Sequence, residues 1–541
     1  MTASDRIELP NSIHHIPHGS VAKRRTNENQ WIELTLAVRR AKNLPDLSAL
    51  DLVRPAQRKY LTVDKLEKEY GSDPGAVARI EAFAKANRLS VVRDDRGAAT
   101  LGLGGTVADV TAAFGVTLFD YDNAALGQFH ARTGPVMLPA NLKDDVTGVF
   151  GFNNHRILRR RKNHLAPATV AAATTQKARA WFVPTELAPI YDFPTADVSN
   201  QCIALLEFGG GVDDADLADY FKKIEVPAPN VQVIALNGVS TDPSVDPDST
   251  GEVMLDVEVV GALAPGAKVA VYFSTFDEKG LVDAIAAVIA DKTNAPKVVS
   301  ITWGWDENQP FQSGILWSQA AIDHVNQSFL AASQLGITVC VSTGDDGSEA
   351  QIKDGRAHVC FPASSPYVLA VGGTTLHVRK TAKGQSTLRE VVWNDGPGSG
   401  TGGGVSDLIP VPTWQREVAP PSINPGAFRG RAIPDVAANA DPNTGYLTKS
   451  NGQFGIVGGT SAAAPLWAAL VTRINASANA QLGNFNALLY TKYGPAGVLR
   501  DIDTGNNDTD GLLGGQFRAG PGWDACTGWG VPDGKKLLTA I

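Results

Sequence analysis

Apolar positions near the N-terminus switch period several times, and each switch marks an element. Residues 31–40 alternate, with Ile32, Leu34, Leu36 and Val38 on one side, which predicts a half-buried strand. Residues 62–69 and 73–87 follow a helical period instead, the second setting Val77, Ile80, Phe83 and Ala84 on one face. Strand patterns over 89–93 and 99–103 flank the polar turn Asp94-Asp95-Arg96-Gly97, and a helix over 106–114 and a strand over 116–121 follow. The order β, α, β, β, α, β predicts a ferredoxin-like α+β unit. Residues 1–30 are polar, broken by Pro and Gly, and read as a loose lead-in.

From residue 181 onward the pattern becomes continuous apolar strands alternating with helices. Strands are predicted over 202–208, 231–236, 269–273, 298–303 and 337–341, and helices over 214–224, 251–263, 281–290 and 318–335. Ser249 and Thr250 are expected to cap the second of these helices, and Pro265-Gly266 to stop it. Such alternation predicts an α/β domain with a mainly parallel sheet covered by helices on both faces. Ligands in that architecture sit at the carboxyl ends of the strands. The turn Gly344-Asp345-Asp346-Gly347 and the glycine-rich run 398–404 are loops of the kind found there. Between the two patterns lie a basic run, 156–162, and an Ala/Thr-rich stretch, 165–180, which reads as an exposed tether and candidate cleavage region.

Composition narrows the function classes. A chain of 541 residues with 43% hydrophobic positions exceeds one hydrophobic core, so two or more domains are expected. A net charge of −8 argues against a nucleic-acid partner, which needs concentrated positive charge. No apolar run reaches the roughly 18 residues of a membrane span, so no membrane partner is expected. Residues 1–10 lack the apolar core of a signal peptide. The four cysteines, Cys202, Cys340, Cys360 and Cys526, have no metal-ligand spacing and read as buried thiols.

The candidate chemistry begins at Gly458-Gly459-Thr460-Ser461-Ala462-Ala463-Ala464-Pro465, small residues that lead into an apolar helix. Ser461 would stand in the first turn, where unpaired amides make an electropositive setting for a nucleophile. Glu252 and Asp256 are four residues apart on a predicted helix, so both carboxylates leave one face among Val253, Leu255, Val257 and Val259. Like charges against an apolar surface raise at least one pKa, which makes a usable proton carrier. Asp345 follows a buried strand; kept protonated, it could donate a hydrogen bond to an oxyanion. No histidine stands in a small-residue motif at a strand end of the second domain, and His18-Gly19-Ser20 lies in the lead-in. Three readings remain from the residues: a serine with carboxylate partners, a histidine-dependent subtilisin-like protease, or a silent binding protein whose Glu252, Asp256 and Glu258 form a solvated face.

Taken together, Gly251-Glu252-Val253-Met254-Leu255-Asp256, Gly344-Asp345 and Gly459-Thr460-Ser461 with its following alanines resemble the sedolisins, serine-carboxyl peptidases of subtilisin-like fold, and in particular the kumamolisin-like precursors. The resemblance covers nearly the whole chain. It implies Ser461 as nucleophile, Glu252 as general base, Asp256 as its partner and Asp345 as oxyanion donor. Glu207 and Trp303 match positions that extend the carboxylate network. It also implies one structural Ca2+, held by the carboxylates of Asp501 and Asp524 and the carbonyls of Ile502, Gly520 and Gly522. Asp503, Asp508 and Asp510 are nearby alternatives as ligands. Residues 1–165 would be an inhibitory prodomain, 166–180 an activation segment, and 181–541 the peptidase. The resemblance further implies an acid-active, secreted, monomeric endopeptidase acting on proteins and peptides, with its own prodomain as inhibitor. Cys360-Phe361-Pro362 is a candidate wall of the specificity pocket.

Overall fold

The structure is a computed structural model that describes residues 6–160, 181–307, 317–350, 352–380 and 386–541. The predicted tether over 165–180 lies outside these residues. In the N-terminal unit a four-stranded antiparallel sheet runs in the order Ser90–Asp95, Thr100–Thr106, Trp31–Val38, Val146–Phe150. Helices Val63–Tyr70, Pro74–Ala86 and Val107–Phe114 start where Thr62, Asp73 and Thr106 accept amide protons, each a side-chain N-cap. Leu34, Leu36, Ile80, Leu103, Val110 and Phe114 fill the core between sheet and helices.

Two expectations for this unit are corrected. The fourth strand of the ferredoxin-like sheet is Val146–Phe150, whereas Leu118–Asn123 pairs with Val21–Arg25 and Gly127–Arg132 in a separate sheet. The reason is charge: Asp120 and Asp122 meet Arg24 and Lys23 across the strands, both at 2.9 Å, which suits an exposed ribbon. The lead-in is accordingly not loose. Arg6–Glu8 and Val21–Arg25 are strands, held by long-range pairing that a polar sequence does not announce.

The C-terminal unit is built on a sheet in the order Asn230–Ala235, Lys268–Phe273, Cys202–Glu207, Val298–Ile301, Thr338–Ser342, Leu369–Lys380, Ser386–Val392, with Val436–Asn439 also paired to Leu369–Lys380. Every pair is parallel except that of the long strand with Ser386–Val392. Ile203 and Leu205 point to one face, against helices Pro247–Leu263 and Thr460–Ala478. Ala204 and Leu206 point to the other, against Glu278–Ala290 and Gln319–Gln334. All four cysteines are buried. Helix Pro247–Leu263 is capped by Asp246, not by Ser249 or Thr250: Asp246 accepts the Ser249 amide and Pro247 takes the first helical position. The strand expected over 298–303 breaks at Thr302, and Trp303–Asp306 turns away to pair with Cys360–Phe361.

The outer helix layer is where the two units meet. Leu44, Leu66, Phe150, Ile157 and Leu158 join the core of Glu278–Ala290 and Gln319–Gln334. Asp283, buried in the seam, takes Lys279 at 2.7 Å, the Thr35 hydroxyl at 2.7 Å, and Arg93. The His324 ring lies 6.0 Å from that of Phe150.

Candidate active site

Ser461 enters the site through two constrained glycines. Gly459 has φ of 122°, a region that side chains rarely adopt, and a Cβ there would stand 2.7 Å from Asp345 Oδ2. A Cβ on Gly458 would meet the Ala440 carbonyl oxygen at 2.3 Å. Helix Thr460–Ala478 starts at once, so Ser461 lies fully buried in its first turn, with no hydrogen bond to Oγ among the described residues. Asp345 is tied to the same turn: its Oδ1 accepts from the Thr460 amide and hydroxyl, both at 2.7 Å. The loop carrying it is pinned by Gly400 donating to the Asp345 carbonyl at 2.9 Å and Gly402 to the Gly344 carbonyl at 2.8 Å.

A second cluster consists of carboxylates. Glu252 and Asp256 lie one turn apart on Pro247–Leu263, and Glu207 ends the strand Cys202–Glu207; all three are fully buried. Trp303 Nε1 donates to Glu207 at 2.8 Å and Thr302 Oγ1 to Asp256 at 3.0 Å. Burial, then the charges of Glu207 and Glu252, push Asp256 well above the usual carboxylate range. Burial also pushes Glu207 up to about 8, with Glu252 adding to the rise while the bonds from Trp303 and Asp256 oppose it. Both Glu207 and Asp256 are thus biased toward their protonated forms. The serine helix packs along the helix that carries Glu252 and Asp256.

Glu258 does not make a solvated face with them. It is buried elsewhere, accepts the Lys449 amide at 3.0 Å, and is itself pushed well up by burial. Nor does a histidine join the serine among the described residues. His358 pairs with Asp354 at 3.0 Å, His324 lies in the seam, and His18 offers its carbonyl to Asn123 inside the N-terminal unit.

Comparison with known proteins agrees with this geometry. The pro-kumamolisin activation domain family matches residues 18–155, and the subtilase family matches residues 234–506. Kumamolisin of Bacillus sp. (strain MN-32) is 42% identical, over 95% of this chain and 92% of its own length. Sedolisin of Pseudomonas sp. (strain 101) is 32% identical, over 81% of this chain and 74% of its own. A solved structure of Pseudomonas sedolisin, a serine-carboxyl proteinase complexed with two molecules of pseudo-iodotyrostatin, superposes with a TM-score of 0.57 at 29% identity, covering 68% of this chain and 98% of that one.

The chain belongs to the sedolisin family. It is a serine-carboxyl peptidase with a subtilisin-like domain, made as an autoprocessed precursor behind its own activation domain. The chain that follows that domain reaches the strand whose Trp303 bonds Glu207. The amides of Ile157 and Leu158 donate to the Phe276 carbonyl at 3.0 and 2.8 Å, and Arg159–Arg160 then pairs antiparallel with Gly304 and Trp303. A sedolisin precursor is therefore held with its own chain beside the carboxylate cluster.

The residues implied as calcium ligands also converge. Gly522 N donates to Asp501 Oδ2 at 2.7 Å, Gly520 N to Asp524 Oδ2 at 3.1 Å, and Thr527 Oγ1 to the Ile502 carbonyl at 3.5 Å. Burial raises Asp524 to about 6 although the amides of Thr527, Cys526 and Gly520 oppose the rise, so added positive charge nearby would be welcome. Among the described residues no group of three or more His, Cys, Asp or Glu is placed to hold a metal ion, so such a shell would draw on carbonyl oxygens, the donors a hard cation accepts. Asp508 is engaged elsewhere, by the amides of Gly515 and Leu513; Asp510 faces Lys353, and Asp503 the Thr504 hydroxyl.

Thr302 and Thr460 are site residues that sequence reading missed. Thr460 sits inside the small-residue run before Ser461 and Thr302 at the end of an apolar strand, and a threonine in either place carries no signal until its partner, Asp345 or Asp256, is beside it.

Proposed function

We propose that this sedolisin-family chain is an acid-active endopeptidase in which Ser461 attacks the peptide carbonyl while Glu252 takes its proton. Asp256 partners Glu252, Glu207 and Trp303 extend the network, and Asp345 donates to the oxygen of the tetrahedral intermediate. Water then hydrolyses the acyl-enzyme. The observation that carries this reading is the buried carboxyl cluster with raised pKa values on elements packed against the helix that holds Ser461 in its first turn. Carboxyls that hold protons in acid suit a base and a donor working below neutrality. Ionising Asp345 would remove its proton and its donor role. Endopeptidase action is supported by the cleft admitting Arg159–Arg160 with the whole activation domain still attached on the N-terminal side. By family likeness the mature enzyme acts as a secreted monomer.

Self-cleavage is assigned to residues 165–180. At low pH the precursor should convert to a mature form, and Ser461→Ala precursor should remain intact; conversion of that variant alone, or peptide cleavage that stays level from pH 4 to alkaline pH, refutes the assignment. One structural Ca2+ would be held by Asp501 and Asp524 with the carbonyls of Ile502, Gly520 and Gly522. Chelation should lower the melting temperature of the mature enzyme and Asp524→Ala should mimic it, whereas indifference to both removes the ion.

A further inference from the structure

We propose that the indole of Trp305, supported by the negative charges of Asp306 and Asp346, is a subsite for an arginine side chain of the substrate, on the N-terminal side of the scissile bond. The proposal rests on the reading above that Arg159–Arg160 lies where a substrate backbone lies.

The occupant is visible in the precursor. Arg159 sits opposite Gly304 in the antiparallel pair, and its guanidinium carbon lies 3.6 Å from the Trp305 ring centroid. Burial tends to lower the Arg159 pKa, and the charges of Asp306 and Asp346 oppose this. The next residue, Arg160, pairs with Trp303, which bonds Glu207 of the carboxylate cluster. The strand therefore runs toward the chemistry, and Arg159 lies before the cut.

The seat belongs to the peptidase and not to its occupant. Trp305 pairs with Phe361 and Asp306 with Cys360, whose thiol donates to Asp306 Oδ1 at 3.3 Å. Asp346 is bridged to Gly400, and its carbonyl accepts the Thr509 hydroxyl at 3.4 Å. None of these contacts involves the activation domain, so they persist after it leaves. A planar, weakly hydrated guanidinium stacks on an indole and pairs with carboxylates at its edge, which a neutral side chain of equal shape cannot do. A second cation–aromatic contact among the described residues of the segment, Arg156 at 3.5 Å from Phe276 and 3.4 Å from Asp246, lies farther from the cut and serves docking.

The test uses the mature enzyme and a peptide set in which one arginine is walked along the positions N-terminal to a cut mapped by mass spectrometry. Each peptide has a twin carrying citrulline, which matches arginine in shape without its charge. At one position kcat/KM should favour arginine about 3- to 30-fold. Trp305→Leu should bring that ratio close to one, and Asp346→Asn should reduce it. Equal cleavage of every pair, or a preference that survives both variants, overturns the subsite while leaving the peptidase reading intact. Failure to cleave any peptide, citrulline twins included, sinks the site reading itself and the subsite with it.

Discussion

Beside the serine helix, Glu207 and Asp256 are buried acids whose pKa values are pushed upward by burial first, with the charge of Glu252 adding to the rise of both and that of Glu207 to the rise of Asp256. In the seam beneath the activation domain, His324 is a buried base pushed down to about 3, by burial first and then by Arg40, with Asp283 alone raising it. His14, at the same junction, is likewise held at about 3 by burial and His155. Both regions favour neutral groups, yet they respond to acid in opposite senses. The histidines contribute stability that is complete above about 6.5 and is lost as pH falls toward 3. Glu207 contributes stability complete below about 4.5 and lost as pH rises toward 8. Acid thus works against the buried histidines at the junction and leaves Glu207 in its preferred neutral form. Asp283 shows that burial alone does not decide the direction: as buried as Asp256, it is held below the usual range because Lys279 and Arg93 face it.

The largest expected effect tests whether the cleft cluster is chemical and not merely buried. Glu252→Gln should lower kcat about 10²- to 10⁴-fold with folding retained by circular dichroism, and activity within tenfold of the parent would reduce the cluster to packing. A smaller effect tests the seam. His324→Phe fills the same place against Phe150 without a titrating ring, so the pH at which precursor converts should move about one unit lower; an unmoved profile separates the histidine from activation. The smallest is thermodynamic. In Ser461→Ala precursor, which cannot digest itself, melting temperature should fall as pH rises from about 6.5, where the histidines no longer titrate, to 8, and adding Glu207→Gln should flatten that slope. Each pH unit is worth up to about 1.4 kcal/mol per titrating group, so an unchanged slope would show that Glu207 is not titrating there.

The alternating strands, the helix patterns and the motifs around Glu252, Asp345 and Ser461 were readable from the chain because period and small-residue runs are local properties. The fourth ferredoxin strand was not: Val146–Phe150 is short and buried without period, whereas the better-patterned Leu118–Asn123 was drawn into another sheet by charges on Val21–Arg25. The break at Thr302 was equally invisible, because an apolar run does not show where its hydrogen-bonding partners change.

By itself the sequence determined the family and the two-part organisation and offered the positions proposed to carry chemistry, since each is written in residues close together along the chain. Only the tertiary structure decided that Glu258 stands apart from Glu252 and Asp256, that Thr302 and Thr460 bond the carboxyls, and that Arg159 stacks on Trp305. Those outcomes depend on distance and burial between residues remote in sequence, and proton affinity and stacking follow from what surrounds a group in space.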